Sequence, residues 1–151
     1  MHQVVIFSSD GAYLGYKEYQ IKPAVLPSNE FVVNPSMFAE KEYLTLVNGS
    51  PFISAFRRNQ ADVAKLKLAV KSFIETKAKE LRYDDSAELV SYANDHANPS
   101  FKKEALAFIE WRSAVYNKFF KFESSKPSVV PTAERFMLEV DDFTVYLSKQ
   151  G

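Results

Sequence analysis

The sequence predicts an α+β fold: a small N-terminal antiparallel sheet, then a helical hairpin with a short intervening helix, then an irregular C-terminal tail. Three observations lead there. Short β-branched and aromatic runs separated by turn residues fill residues 1–56. From Arg58 the apolar residues switch to spacings of three and four. Asn98-Pro99 then opens a second long helical pattern, which runs to Phe122 and carries the only tryptophan. The organisation that follows is an N-terminal β region over 1–56, a helical region over 57–122, and a linker, short helix and tail over 123–151. These form one compact unit or two closely packed subdomains.

Within the β region, Val4 to Phe7 and Tyr13 to Tyr19 flank Ser9-Asp10-Gly11, which reads as a hairpin whose glycine can take positive φ. Pro23, Pro27 and Pro35 limit residues 21–36 to a loop or an edge strand, because proline removes a ladder donor. Asn34-Pro35-Ser36 is a turn or a cap. Tyr43–Val47 and Pro51–Phe56 flank Asn48-Gly49, the strongest short hairpin signal in the chain. About four strands are expected.

In the helical region, Val63, Leu66, Val70, Phe73, Ile74 and Ala78 make one apolar stripe, with Lys71 and Glu75 an opposite-charge pair at helical spacing. This helix should end near Leu81 or Arg82. Asp84-Asp85-Ser86 with Glu88 is a capping cluster for a short helix over about Ser86–Asn94. The next helix spans Pro99 to Phe122 with Phe101, Ala105, Phe108, Ile109, Val115, Phe119 and Phe122 as its stripe. It is apolar enough to need cover on more than one side. Glu123–Pro127 is a linker, and Thr132 caps a short helix through Leu138. Val140 to Leu147 reads as a closing strand or an extended tail.

The bulk properties limit the function. Hydrophobic residues at 46% and charged residues at 25% describe a chain that can build a core. Nineteen basic and nineteen acidic side chains give zero formal charge, which argues against a general nucleic-acid binder. The charge runs from −2 over Met1–Phe56 to +4 over Arg57–Phe122 and −2 beyond, and a solvated helix face accounts for the basic middle. Without cysteine there is no disulfide scaffold, thiolate nucleophile or cysteine metal site. No apolar run has the length of a membrane span and no signal peptide is visible, so the expected site of folding is the cytosol.

Residue chemistry points to binding, not catalysis. His2 and His96 sit in no spaced ligand motif, and there is no Walker loop, GxGxxG or GxSxG. Neither a metal nor a cofactor is expected. Asp84-Asp85 and Asp141-Asp142 are each adjacent in sequence, which defines no separation across a cleft. The candidate partner-contact or anchor residues are Trp111, Arg112, Tyr83 and Tyr92. Trp and Arg are enriched among binding hot spots. The competing reading is structural: a Trp between helices, with Arg112 paired to an acid or stacked on a ring.

A series of short elements carries a family resemblance. Leu81-Arg82-Tyr83-Asp84 resembles an RGYDS-like element. Ser91-Tyr92-Ala93, Asn98-Pro99-Ser100-Phe101 and Glu104-Ala105-Leu106-Ala107-Phe108 follow in order, Trp111-Arg112 sits in a WRDAVW-like position, and Pro131-Thr132-Ala133-Glu134 closes the series. It is similar to small proteins encoded in the tail-fibre region of tailed bacteriophages, the tail-fibre assembly or tail-associated family, over about Leu81–Glu134. Arg82 is followed directly by Tyr83 without the usual glycine, Ser113 stands where Asp is common, and Tyr116 replaces a second Trp.

The resemblance implies a non-enzymatic phage tail protein that acts by protein–protein binding. It would be a small structural or adaptor component of the tail or baseplate-fibre region, or a tail-fibre assembly chaperone. Its partners would be phage tail or tail-fibre proteins in an oligomeric assembly. It would act in the host cytoplasm during assembly, and a structural part would remain in the virion tail. The alternative is a phage-encoded inhibitor or regulator that binds a host protein. The family supplies no catalytic residues.

Overall fold

A computed structural model describes residues 1–21 and 23–151; Lys22, inside the proline-bearing stretch, lies outside the described residues. The fold is α+β, with small antiparallel sheets before a series of helices. The chain divides into two compact units, Met1–Gln60 and Ala61–Gly151.

In the first unit, β1 (His2–Phe7) pairs antiparallel with β2 (Tyr13–Tyr19) on one side and with β3 (Glu30–Val32) on the other. The proline-bearing segment therefore does supply an edge strand. The register shifts between Ile6 and Phe7, whose partners are Gly15 and Tyr13, so Leu14 is an extra residue in the ladder and stands exposed. Asn34 caps the short helix α1 (Pro35–Ala39), its side chain accepting from the Met37 amide at 2.8 Å. A second sheet follows, β4 (Leu44–Val47) with β5 (Ser50–Ile53), joined through Asn48 and Gly49 at φ 50° and 76°. Those two positive φ values are what a tight hairpin turn demands.

The β region thus holds two sheets, three-stranded and two-stranded, where the sequence suggested one sheet of about four strands. They meet at Gly11: its carbonyl accepts from the Leu46 amide at 3.2 Å and the Thr45 hydroxyl at 3.2 Å. A Cβ at Gly11 would lie 3.4 Å from that of Leu46, and φ is +83°, so the position suits glycine twice over. Val5, Phe7, Val33 and Leu44 form the core of this unit. The opposite face of β1 buries Val4, beside which Glu30, only 7% exposed, accepts from Lys17 at 2.5 Å and from the Tyr19 hydroxyl at 3.1 Å. The Lys17 hydrogen bond holds the Glu30 carboxyl below its usual range against the opposing effect of burial.

Helix α2 (Ala55–Glu80) starts earlier than the apolar pattern suggested, so Phe56 is helical and not the end of a strand. The unit boundary falls inside it, after Gln60. In the second unit it buries Leu66, Val70, Ile74 and Ala78, one per turn. A fully buried Leu or Ile of this kind contributes roughly 1.5–3 kcal/mol. Helix α3 (Ser86–Ser91), continued by a 3-10 turn over Tyr92–Asn94, is capped by Asp85, which accepts from the Glu88 amide at 2.8 Å. Helix α4 (Pro99–Ser124) begins at Asn98, whose side chain accepts from the Phe101 amide at 3.3 Å. Lys67 of α2 lies over the Phe120 ring while Tyr83, past the end of α2, reaches Glu104, so the two long helices run antiparallel.

Two sequence expectations need correction here. The stretch from Val140 is neither a strand nor an irregular tail: after α5 (Ala133–Met137), residues Phe143–Lys149 form helix α6, capped by Asp142. Phe143 and Tyr146 bury one helical turn apart against the core of the second unit. The α4 stripe keeps the expected Ala105, Phe108, Val115 and Phe119 and differs from the expected one at its edges. Ala105, Ala107, Phe108, Trp111, Val115 and Phe119 are buried, whereas Phe101 is 39% exposed. Cover for α4 comes from α2, α3, α5 and α6 within the same core. No helix among the described residues is long and apolar enough to cross a membrane.

Candidate functional site

The C-terminal end of α2 sets up the most distinctive surface of the second unit. Helix α2 stops because Arg82 adopts φ 71°, the Arg82 amide bonds to the Lys79 carbonyl at 2.9 Å, and the Tyr83 amide bonds to the Ala78 carbonyl at 3.1 Å. This is the Schellman arrangement, with arginine in the left-handed position that favours glycine. It satisfies the terminal carbonyls and turns Tyr83 inward.

Glu75 ties the following helix to α2. Its Oε1 accepts from the Ser86 hydroxyl at 2.6 Å and its Oε2 from the Ser86 amide at 3.0 Å. These two bonds lower its carboxyl pKa, the hydroxyl first, with Lys71 a lesser electrostatic neighbour. Glu75 is thus bound to Ser86, where the sequence pairs it with Lys71. Glu88 reaches back to the Asp84 amide at 2.6 Å, one residue before the cap, closing the turn.

These constraints bring Tyr83, Tyr92 and Phe101 together. Tyr83 and Tyr92 have ring centroids 5.7 Å apart, Tyr92 and Phe101 5.2 Å, and Tyr83 and Phe101 6.1 Å, all tilted or edge to face. Such pairs add roughly 0.5–1.5 kcal/mol each beyond area burial. The Tyr83 hydroxyl donates to Glu104 Oε2 at 2.7 Å, tying the chain after α2 to the first turns of α4. Burial pushes the Tyr83 phenol far above its ordinary pKa, and the Glu104 carboxylate adds to the shift.

Around this trio lies a solvent-open cleft of about 550 Å³, lined by Glu80, Leu81, Arg82, Tyr83, Glu88, Tyr92, Phe101 and Glu104. A second cleft, of about 630 Å³, lies over Phe122, Pro131 and Phe136. There Lys118 is engaged with Glu139, donating to its backbone carbonyl at 2.9 Å and pairing with its carboxylate at 3.1 Å.

Of the four residues singled out by sequence, the structure unites Tyr83 with Tyr92 and places the other two apart from them. Trp111 is 4% exposed, with Phe108 at 5.8 Å and Phe143 at 6.2 Å between ring centroids. That is the position of a core residue. Arg112 lies with its guanidinium carbon 5.8 Å from the Phe108 ring centroid, a stacked side chain at the edge of the core. Sequence reasoning missed Phe101 as a surface ring, and Glu80, Glu88 and Glu104 as its companions. The available signal was the spacing of Phe101 and Glu104, three apart on one helix face.

The adjacent carboxylate pairs are helix starts. Asp85 caps α3, and Asp142 accepts from the Thr144 amide at 2.9 Å and hydroxyl at 2.7 Å, which lowers its pKa. Among the described residues no group of three or more His, Cys, Asp or Glu is placed to hold a metal ion. Compared with protein-family models, curated proteins and solved structures, the chain matches none of them.

Proposed function

We propose that this chain is a non-enzymatic tailed-bacteriophage tail protein that works by protein–protein binding, as a small adaptor in the tail or baseplate-fibre region or as a chaperone of tail-fibre assembly. The observation that carries the reading is a convergence. Three successive elements of the family resemblance, Arg82-Tyr83, Tyr92 and Phe101, share one open cleft on a helical scaffold. Tyr83 is buried at the floor of this cleft, whereas Arg82 and Phe101 stand exposed at it, unlike the enclosed Trp111. Aromatic residues with charged neighbours at a concave surface are the usual makings of a contact site.

The first unit supports the same reading. Its three-stranded sheet ends at β2 and β3, and Leu14, Tyr16 and Val32 on those strands are exposed. Edge strands with exposed apolar side chains are where another chain can add. A chaperone would use such surfaces to cover fibre subunits until they assemble; an adaptor would bury them permanently in an oligomeric tail structure. The protein would act in the host cytoplasm during assembly, and an adaptor would also be found in the virion tail.

Two measurements test this. Affinity capture with the tagged full chain from infected cells should recover tail or fibre subunits; recovery of a host protein alone would favour the inhibitor reading. Mass spectrometry of purified particles should find the chain in stoichiometric amount if it is an adaptor. Its absence from particles, with fibreless particles on deletion, identifies a chaperone.

A further inference from the structure

We propose that the cleft between the end of α2, α3 and the start of α4 receives an arginine side chain of the partner protein; this rests on the binding reading above. Three features of the cleft converge on a planar cation. Tyr92 and Phe101 line it with aromatic rings, and Phe101 is 39% exposed, so its ring is within reach of a ligand. Glu80, Glu88 and Glu104 line the cleft with Arg82, and Lys77 pairs with Glu80, so Glu88 and Glu104 carry the excess negative charge. The residues that end α2, Glu80, Leu81 and Arg82, form one wall of the same space. Finally, among the described residues the three carboxylates are engaged through Oε2 only, by Lys77, the Asp84 amide and the Tyr83 hydroxyl. Each Oε1 is left to accept from a ligand.

Arginine fits this set better than lysine. A guanidinium stacks flat on a ring and forks two N–H groups toward carboxylate oxygens, whereas an ammonium is a strongly hydrated point charge. An anionic occupant would meet three carboxylates. Arg82 stands exposed, held in the left-handed conformation that ends α2, and there it repels an incoming cation.

The test uses the isotope-labelled full chain and two small probes, N-acetyl-arginine methylamide and its neutral isostere N-acetyl-citrulline methylamide. Arginine should give saturable chemical-shift changes confined to residues 80–83, 88, 92, 101 and 104, with citrulline about fivefold or more weaker. Glu80→Gln with Glu88→Gln should weaken the arginine probe by about three- to tenfold, and Phe101→Ala by about two- to fivefold. Arg82→Gly keeps the backbone and removes the competing cation, so it should tighten binding by about two- to fivefold. Thermal melts of each variant confirm folding.

Equal binding of the two probes, shifts scattered over the surface, or indifference to the Glu and Arg82 variants would overturn the proposal. Loss of arginine binding with capture of tail subunits retained removes the cleft's role and leaves the binding function standing. Arginine binding with no tail partner captured does the reverse.

Discussion

The ring of Trp111 meets the ring of Phe143 edge to face, with centroids 6.2 Å apart and planes at 87°. Phe143 is the first residue of α6, so the last helix of the chain lies against the one tryptophan. This contact explains why Trp111 is 4% exposed, as the structural reading of the sequence has it, and not an exposed interface anchor. Trp111→Ala should cost roughly 3–5 kcal/mol, as for other large buried rings. Chemical denaturation measures it. A stability unchanged within 0.5 kcal/mol or so would mean the ring packs against nothing in the isolated chain.

The same contact predicts a coupling. Phe143→Ala alone should destabilise by a similar amount, and the double variant by less than the two losses added, with a coupling of about 0.5–1.5 kcal/mol for the ring pair. Ending the chain after Glu139 should also shift Trp111 fluorescence to the red, since α6 no longer shields the indole. Emission unmoved by that truncation would show that other elements suffice to enclose it.

Arg82 occupies φ 71° at the end of α2. A side chain there is strained, and glycine is not. Arg82→Gly should therefore raise stability by about 0.5–1 kcal/mol, despite the lost attraction of a cation to the helix C-terminus. Arg82→Ala keeps the strain and should not stabilise. Paired melting curves of the two variants decide it, and equal effects would mean that backbone conformation is not the cause.

Tyr83 gives the stability a particular alkaline dependence. Its pKa is raised in the folded chain, first by burial and then by the hydrogen bond to Glu104. The unfolded chain loses this proton near pH 10, while the folded chain holds it, so stability falls as pH rises above that point. One such group contributes at most about 1.4 kcal/mol per pH unit. Tyr83→Phe should flatten the fall above pH 10, and ultraviolet titration of the folded chains between about pH 10 and 11 should be the same for wild type and variant, because Tyr83 stays protonated there. A parallel decline in both chains would remove Tyr83 from the account.

Glu75 acts at the other end of the scale. Its carboxyl pKa is depressed by the Ser86 hydroxyl and then by the Ser86 amide. A depressed carboxylate contributes stability above its unfolded pKa and loses it as pH falls through the folded one. Glu75→Gln should cost about 1–2 kcal/mol at neutral pH. The gap between variant and wild type should close on acidification below the ordinary carboxylate range. A gap constant down to acid pH would show that the side chain matters through packing and not through charge.

Local rules made much of the fold legible. Asn48-Gly49 turns as its residue types require, with both φ values positive. Asn98, Asp85 and Thr132 cap their helices through amides three residues ahead. Each of these features involves atoms within a few residues of one another, so the residue types alone decide them. The α+β class and the two long antiparallel helices follow from such signals together with apolar spacing.

What sequence could not decide was every choice that depends on a distant neighbour. An apolar run as short as Phe143–Leu147 satisfies a strand or a helix, and only packing against α4 selects the helix. The apolar residues of α4 cover much more than one face, so its rotation is set by what surrounds it. With α2, α3, α5 and α6 in place, Trp111 turns into the core and Phe101 out toward the cleft. The candidate site was half visible for the same reason. Tyr83 and Tyr92 stand out by type, but their meeting with Phe101 and Glu104 comes from the Schellman turn at Arg82 and the return of the chain along α2. The composition determined that this chain folds around aromatic helices; the tertiary structure decided which rings hold it together and which remain open to a partner.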